Sequence, residues 1–331
     1  MAKARIESEL DISNACFQPF RAYHFFHEQL NVYVKVSFAA AVLLVRETAR
    51  EDRPKELGAL IRLAHPSWKN PSVTSMSLHA QREFETSISS FALVSAFSAF
   101  DDFLAGTEAD IAALRAWNPR FRSTKHIDRN GAGENEERFV RFFLGQNWKL
   151  HSIEHLLPLV RYFRLARNCI AHRSGKASAA LASSSEELRS YTGRKIDPLP
   201  VFDHEDQIRL PVKDVILCSH ILRELAQGTN KLMLSDFGLD GLLYLAAKST
   251  FIDEPAVLAG AHKTPERAIN SVLLDRYGVI VLNRNATIRE LKRIDLWADC
   301  RDRFKKYHDN PTDSFELPGA SRASRGTLLD H

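Results

Sequence analysis

Two side-chain types in the stretch 167-RNCIAH-172 can do chemistry together. A guanidinium such as that of Arg167 grips phosphate oxygens with two donors. An imidazole such as that of His172 moves protons near neutral pH, its unperturbed pKa being about 6.5. Asn168 could orient the imidazole or the phosphate. The set suits reaction at a phosphodiester, where a proton must move and charge grows on the phosphoryl oxygens. Arg173, Ser174 and Gly175 follow at once.

These residues must be positioned by a helix, because 156-LLPLVRYFRLARNCIAH-172 has helical periodicity. At about 100° per residue, Leu156, Leu159, Val160, Phe163, Ala166 and Ile170 share one arc, the expected buried stripe. Arg164, Asn168 and His172 step by four and stack on one line of the polar face. Arg167 falls at the stripe's edge, where a charge is costly to desolvate unless paired. On a regular helix Arg167 and His172 point roughly 140° apart. They can meet on one substrate only if the helix ends or bends before His172, or if a second chain contributes.

An earlier helical segment, 77–116, carries the stripe Leu93, Val94, Phe97, Phe100 and Leu104. Asp101 lies inside it, and Asp102 lies outside with Ser95 and Ser98. The spacing predicts an Asp101–Arg167 ion pair across the core, which would hold the guanidinium fork in one orientation.

The remaining elements follow from the same patterns. Residues 17–50 read as a long helix, and 77–116 as a second with a break near Gly106. Prolines 54, 66 and 71 make 53–75 a loop with at most one short helix between prolines, and 117–137 reads as an exposed loop. A short helix is expected at 136–145. Residues 176–188 are a short helix or a mobile excursion. A brief extended piece from 206 leads through Pro211 into a fourth long helix. Beyond Asp236 the expected elements are helices at 240–250, 263–275 and 287–308, a short strand within 277-YGVIVLN-283, and a loose tail at 309–331. The expected architecture is all-α, with a four-helix core over 1–235 and a smaller, mostly helical module over 236–331.

Composition limits the classes of function. The chain has 331 residues and a net charge of +4, which permits an anionic partner without demanding one. Cys16, Cys169, Cys218 and Cys300 are far apart, with neither zinc spacing nor a disulfide framework, which suits a reducing cytosol. His151 and His155 are four apart with no evident third ligand, so no metal site is expected. The polar N-terminus lacks a signal peptide's apolar core, and the longest apolar run, 37–46, is too short to span a bilayer. The expectation is a cytoplasmic protein with no membrane partner.

Arginine and histidine at a helix end are favoured by the helix dipole alone, so the spacing is weak without its context. With its context, the chain resembles the HEPN superfamily, the helical-bundle domains of many RNA-cutting toxins and defence proteins. The resemblance rests on 167-RNCIAH-172 as the R-N-x3-H form and on Gly175. It rests also on 97-FSAFDDFL-104 as the acidic second helix, and on 206-DQIRLPVKDVILCSHILRELA-226 as the extended piece and fourth helix. It covers roughly residues 15–235 and leaves the C-terminal hundred unmatched.

The resemblance implies a four-helix up-down bundle and a metal-independent endoribonuclease acting in a toxin, stress or phage-defence setting. RNA carries its own nucleophile, the 2′-hydroxyl. His172 would then move protons and Arg167 would stabilise phosphoryl charge, with Asn168 beside them and Asp101 and Arg164 in support. No cofactor and no metal is implied. Similar proteins pair two motifs across a dimer, so a homodimer is expected, and a regulatory partner protein fits the class. Some members carry a tyrosine two residues after the histidine as a modification site; Ser174 stands there in this chain. Weaker RNA contacts are Arg120, Arg122, Lys125 and Arg129, interleaved with Trp117 and Phe121. The rival reading is a catalytically silent helical module that binds RNA, nucleotide or protein, in which Arg167 and His172 only cap and pair.

Overall fold

Long amphipathic segments dominate the chain, and the computed structural model is accordingly mostly helical, with 76% of the described residues in helices and 2% in strands. It describes residues 9–48, 78–121, 138–255 and 259–309. Two compact units result, one spanning Gln18–Asp236 and the other combining Met1–Phe17 with Phe237–His331.

The larger unit begins with α1 (Gln18–Thr48) and α2 (Leu78–Trp117). Tyr23 of α1 packs its ring at 5.9 Å from Phe100 and 5.6 Å from Phe103 of α2. The expected break at Gly106 does not occur. A Cβ there would approach Pro19 Cγ to 3.1 Å, so the glycine serves close approach of α1 rather than a turn. Counted over whole helices, Gln18–Arg46 and Arg82–Trp117 are long and apolar enough to cross a bilayer, which the uninterrupted run 37–46 is not. The second of these is half buried within the protein.

Next come α3 (Arg138–Gly145), α4 (Leu157–His172) and α5 (Ala179–Glu187). Ser178 caps α5 by accepting from the Leu181 N–H, which settles 176–188 as containing a helix. The aromatic residues Phe139, Phe142 and Phe143 of α3 are buried, and Trp148 donates its indole N–H to Asp236 at 2.7 Å. Between α1 and the following α6 (Val212–Lys248) lies a buried polar trio. His27 Nε2 faces Asn31 Nδ2 at 3.0 Å, and His27 Nδ1 faces Ser219 Oγ at 2.8 Å. The Asn31 amide can only donate, so Nε2 accepts and Nδ1–H donates to Ser219. Burial holds the His27 pKa down to about 4, reinforced by His220 and nearby cations.

Non-helical backbone at Gly238 (φ 53°, ψ −154°) kinks the 212–248 segment into two helices, in keeping with the separate helix expected at 240–250.

In the smaller unit, β1 (Leu10–Asp11) pairs antiparallel with β2 (Ile280–Val281). Residues 10–17 therefore join this unit rather than the bundle in which the sequence reading places them. Cys16 N–H donates to the Tyr277 carbonyl, and Phe17 packs on Phe237 at 6.4 Å. α7 (Pro265–Tyr277) ends at Gly278 in the left-handed conformation. This trims the expected strand to two residues. α8 (Arg284–Arg293) and α9 (Trp297–Asp309) replace the single helix expected at 287–308, with Asp295 at φ 59° between them. Asn283 caps α8. The expected loose tail lies, from residue 310 onward, outside the described residues.

Candidate functional site

Helix α4 positions the R-N-x3-H residues. Leu156, Leu159, Val160, Phe163 and Ala166 are buried as the periodicity predicts. Tyr162 and Cys169 join them, while Ile170 is only half-buried. The buried arc is thus wider than the wheel suggests, and Tyr162 is tolerated inside because its hydroxyl donates to the Pro200 carbonyl at 2.9 Å.

The helix runs unbroken through His172. Its end is then locked by backbone. Both Arg173 N–H and Gly175 N–H donate to the Cys169 carbonyl, at 2.9 and 3.1 Å. Ser174 (φ 52°) and Gly175 (φ 77°) are both left-handed. Gly175 is buried, and a Cβ there would stand 2.5 Å from Gln207 Nε2. The brief extended piece expected from 206 zips against this turn. Ile208 N–H donates to the Gly175 carbonyl at 2.8 Å, and Ala177 N–H to the Asp206 carbonyl at 2.8 Å.

Arg167 is half-buried, and one terminal nitrogen donates to Asn168 Oδ1 at 3.0 Å. Its Nε is buried without a hydrogen-bond partner. His172 is exposed, and none of the described residues hydrogen-bonds to its ring. Arg164 is half-buried on the same helix. Because α4 does not end before His172, Arg167 and His172 diverge by about 140° around its axis in one chain.

The expected Asp101–Arg167 pair does not form. Asp101 lies at the edge of the α2 stripe, its side chain 48% exposed, and pairs with Arg138 at 3.4 Å. Arg138 reaches Glu108 as well, at 3.3 Å. The wheel placed Asp101 in the stripe but could not show that the start of α3 brings a cation to it. Arg120 is exposed, its guanidinium 5.4 Å from the Phe121 ring centre. Arg122, Lys125 and Arg129 lie outside the described residues.

No family model, curated protein or solved structure matches the chain.

One acid at this helix end escaped the sequence reading. Glu205 contacts Arg173 at 2.5 Å, Lys176 at 3.6 Å and His204 at 3.4 Å. It holds φ 70° in the turn opposite Gly175. Its only sequence signal was the acidic run 203-DHED-206, which does not say what it faces. A second acid, Asp214 in the first turn of α6, is buried, and its Oδ2 has no hydrogen-bond partner. Desolvation pushes its pKa up to about 6.

Proposed function

We propose that the Gln18–Asp236 unit is a HEPN-type domain that cuts RNA without a metal ion. The observation that carries this reading is the pair of groups left available near one helix end. Arg167 has a donor buried without a partner, with its fork steadied by Asn168, and His172 stands in solvent with its ring uncommitted. A capping arginine would spend its donors on the last carbonyls, and Arg167 does not.

The chemistry is transesterification. The 2′-oxygen forms a bond to the adjacent phosphorus and the P–O5′ bond breaks. The hydroxyl proton leaves to a base, and a proton is delivered to the departing O5′. The products are a 2′,3′-cyclic phosphate, or a 3′-phosphate after hydrolysis, and a 5′-hydroxyl. His172 handles protons, and Arg167 stabilises the charge on the phosphoryl oxygens. One histidine per site is a poor complement for both proton transfers. The divergence of Arg167 and His172 on one straight helix leads to the same requirement, so the working site takes groups from two chains about a two-fold axis. A toxin or defence setting, with RNA as substrate, belongs to the same proposal.

The unbroken helix also favours the rival reading, a silent module, if the chain acts alone. Incubation of tRNA, rRNA and mRNA with the protein in EDTA separates the two. Cleavage that leaves cyclic phosphate ends and is lost in both Arg167→Ala and His172→Ala supports the nuclease. Equal cleavage by all three proteins overturns it.

A further inference from the structure

One concave region of the larger unit is lined by more cations than carboxylates. A groove of about 850 Å³ is lined by Phe143, Ile153, Arg194, His220, Arg223 and Lys231, among others. Its floor is one face of α6, on which His220, Arg223, Glu224, Gln227, Gly228 and Lys231 recur at helical spacing. The volume falls within the range of small-molecule sites, roughly 300–1,000 Å³.

The local charge balance is unusual. Arg194, Arg223 and Lys231 line the groove, and Lys35 of α1 lies close enough to act on His220. Against the three lining cations stands one lining carboxylate, Glu224, paired with Arg194 at 2.9 Å. Three cations less one acid leave +2 in the lining, whereas the whole chain of 331 residues carries only +4. Among the described residues, Lys35, Arg223 and Lys231 have no acidic partner within ion-pair distance. Desolvation and the charges of Arg223, Lys35 and Arg194 lower the His220 pKa. A concave, low-dielectric wall of one sign concentrates counter-charge. Gly228 adds to this by leaving the floor without a side chain.

We propose that this groove is a second binding site, for a phosphate-bearing ligand held by Arg194, Arg223 and Lys231. Arg223 and Lys231 supply free cationic donors for phosphate oxygens, and Arg194 is steered by Glu224. His220 and Gln227 offer polar contacts along the same face. The site stands apart from the R-N-x3-H residues. None of Arg164, Arg167, Asn168 and His172 is among the residues that line it. The proposal therefore holds or fails independently of RNA cleavage. Free nucleotides and an RNA strand carry the same phosphate chemistry, and binding distinguishes them.

The test is fluorescence anisotropy with full-length protein and two probes, a labelled 12-nucleotide RNA and labelled ATP. The wild type is expected to bind at least one probe, RNA binding weakening about twentyfold between roughly 50 and 200 mM salt if about three phosphate contacts form. Arg223→Glu with Lys231→Glu is expected to lose tenfold or more, while Lys305→Glu, at an exposed cation outside the groove lining, binds as wild type does. Circular dichroism melting establishes that each variant folds, and Arg223→Gln with Lys231→Gln carries the test if the charge-reversed pair does not. RNA bound and not displaced by excess ATP identifies a strand site; ATP bound with RNA excluded identifies a nucleotide site. Failure of the wild type to bind either probe, or equal binding by the folded charge variants, overturns the proposal.

Discussion

The two ends of α4 handle positive charge in opposite ways. At the C-terminal end, Glu205 answers Arg173 and Lys176, the backbone zips 174–177 against 205–208, Arg167 keeps a buried Nε without a partner and His172 stands exposed. At the other end, the groove near Ile153 gathers cations and answers only one of them. Preorganisation of a few groups suits a reacting centre, since donors fixed in advance cost no reorganisation during reaction. An excess of loosely held charge suits capture, where affinity comes from counterion release and carries strong salt dependence. On the proposed readings, the helix end places groups and the groove attracts ligand.

The largest expected effect tests the first half of that contrast. His172→Ala is expected to reduce RNA cleavage by about 10²–10⁴-fold, the usual scale for a lost proton-transfer group. Arg167→Lys tests the fork itself. A point charge does not replace two parallel donors, so the loss in cleavage should approach that of Arg167→Ala. RNA affinity should stay within twofold in either variant if the groove governs binding. A joint loss of cleavage and affinity would merge the two ends into one site.

Much of this was legible in the sequence, but unequally. The long helices α1, α2 and α4 follow from apolar spacing, and the R-N-x3-H residues fall where α4 ends. Charge partners were not legible. Asp101 was assigned to Arg167 because both lie near stripe edges, yet the start of α3 brings Arg138 closer. Glu205 is 32 residues from Arg173, and a wheel drawn for one helix contains no such pairing. The groove was missed for a related reason. Its α6 residues recur on one face, but Arg194 and Ile153 come from separate loops, and concavity has no sequence period. Gly106 shows the converse: a residue read as a break is a contact.

The pH dependence of stability bears on the rigid framework behind both ends. His27 is held neutral down to about pH 4, while the unfolded chain protonates it from about 6.5. Between those values the unfolded state binds more protons, so this group makes stability fall as pH drops, by an amount on the order of 3 kcal/mol. Asp214 acts in the other sense. Its folded pKa of about 6 exceeds the unfolded value of 3.8, so its burial penalty is full above pH 6 and is relieved as pH falls toward 3.8. Asp214→Asn is expected to stabilise the protein at pH 7 by on the order of 2 kcal/mol and to steepen the acid loss due to His27. Urea titrations at pH 7, 6 and 5 give the test, and an unchanged midpoint at pH 7 would contradict the assigned burial cost.

Gly175→Ala addresses the lock at the end of α4. The substitution forces a left-handed residue to carry a Cβ against the Gln207 side chain, which can swing aside, so the expected cost is about 1–2 kcal/mol. Thermal melting reads it. Cleavage should fall further than the lost stability explains, because the turn sets the direction in which His172 leaves the helix.

The smallest stability effect sharpens the comparison most. Glu205→Gln removes an exposed ion pair and should change stability by less than about 1 kcal/mol. It leaves Arg173 and Lys176 unanswered, which gives the C-terminal end of α4 the charge character of the groove. RNA affinity is then expected to rise two- to threefold at low salt, with a steeper salt dependence, while cleavage at saturating RNA stays the same. If cleavage at saturation falls instead, Glu205 orients the helix end rather than balancing its charge. The carboxylate would then belong with Gly175 among the groups that aim His172.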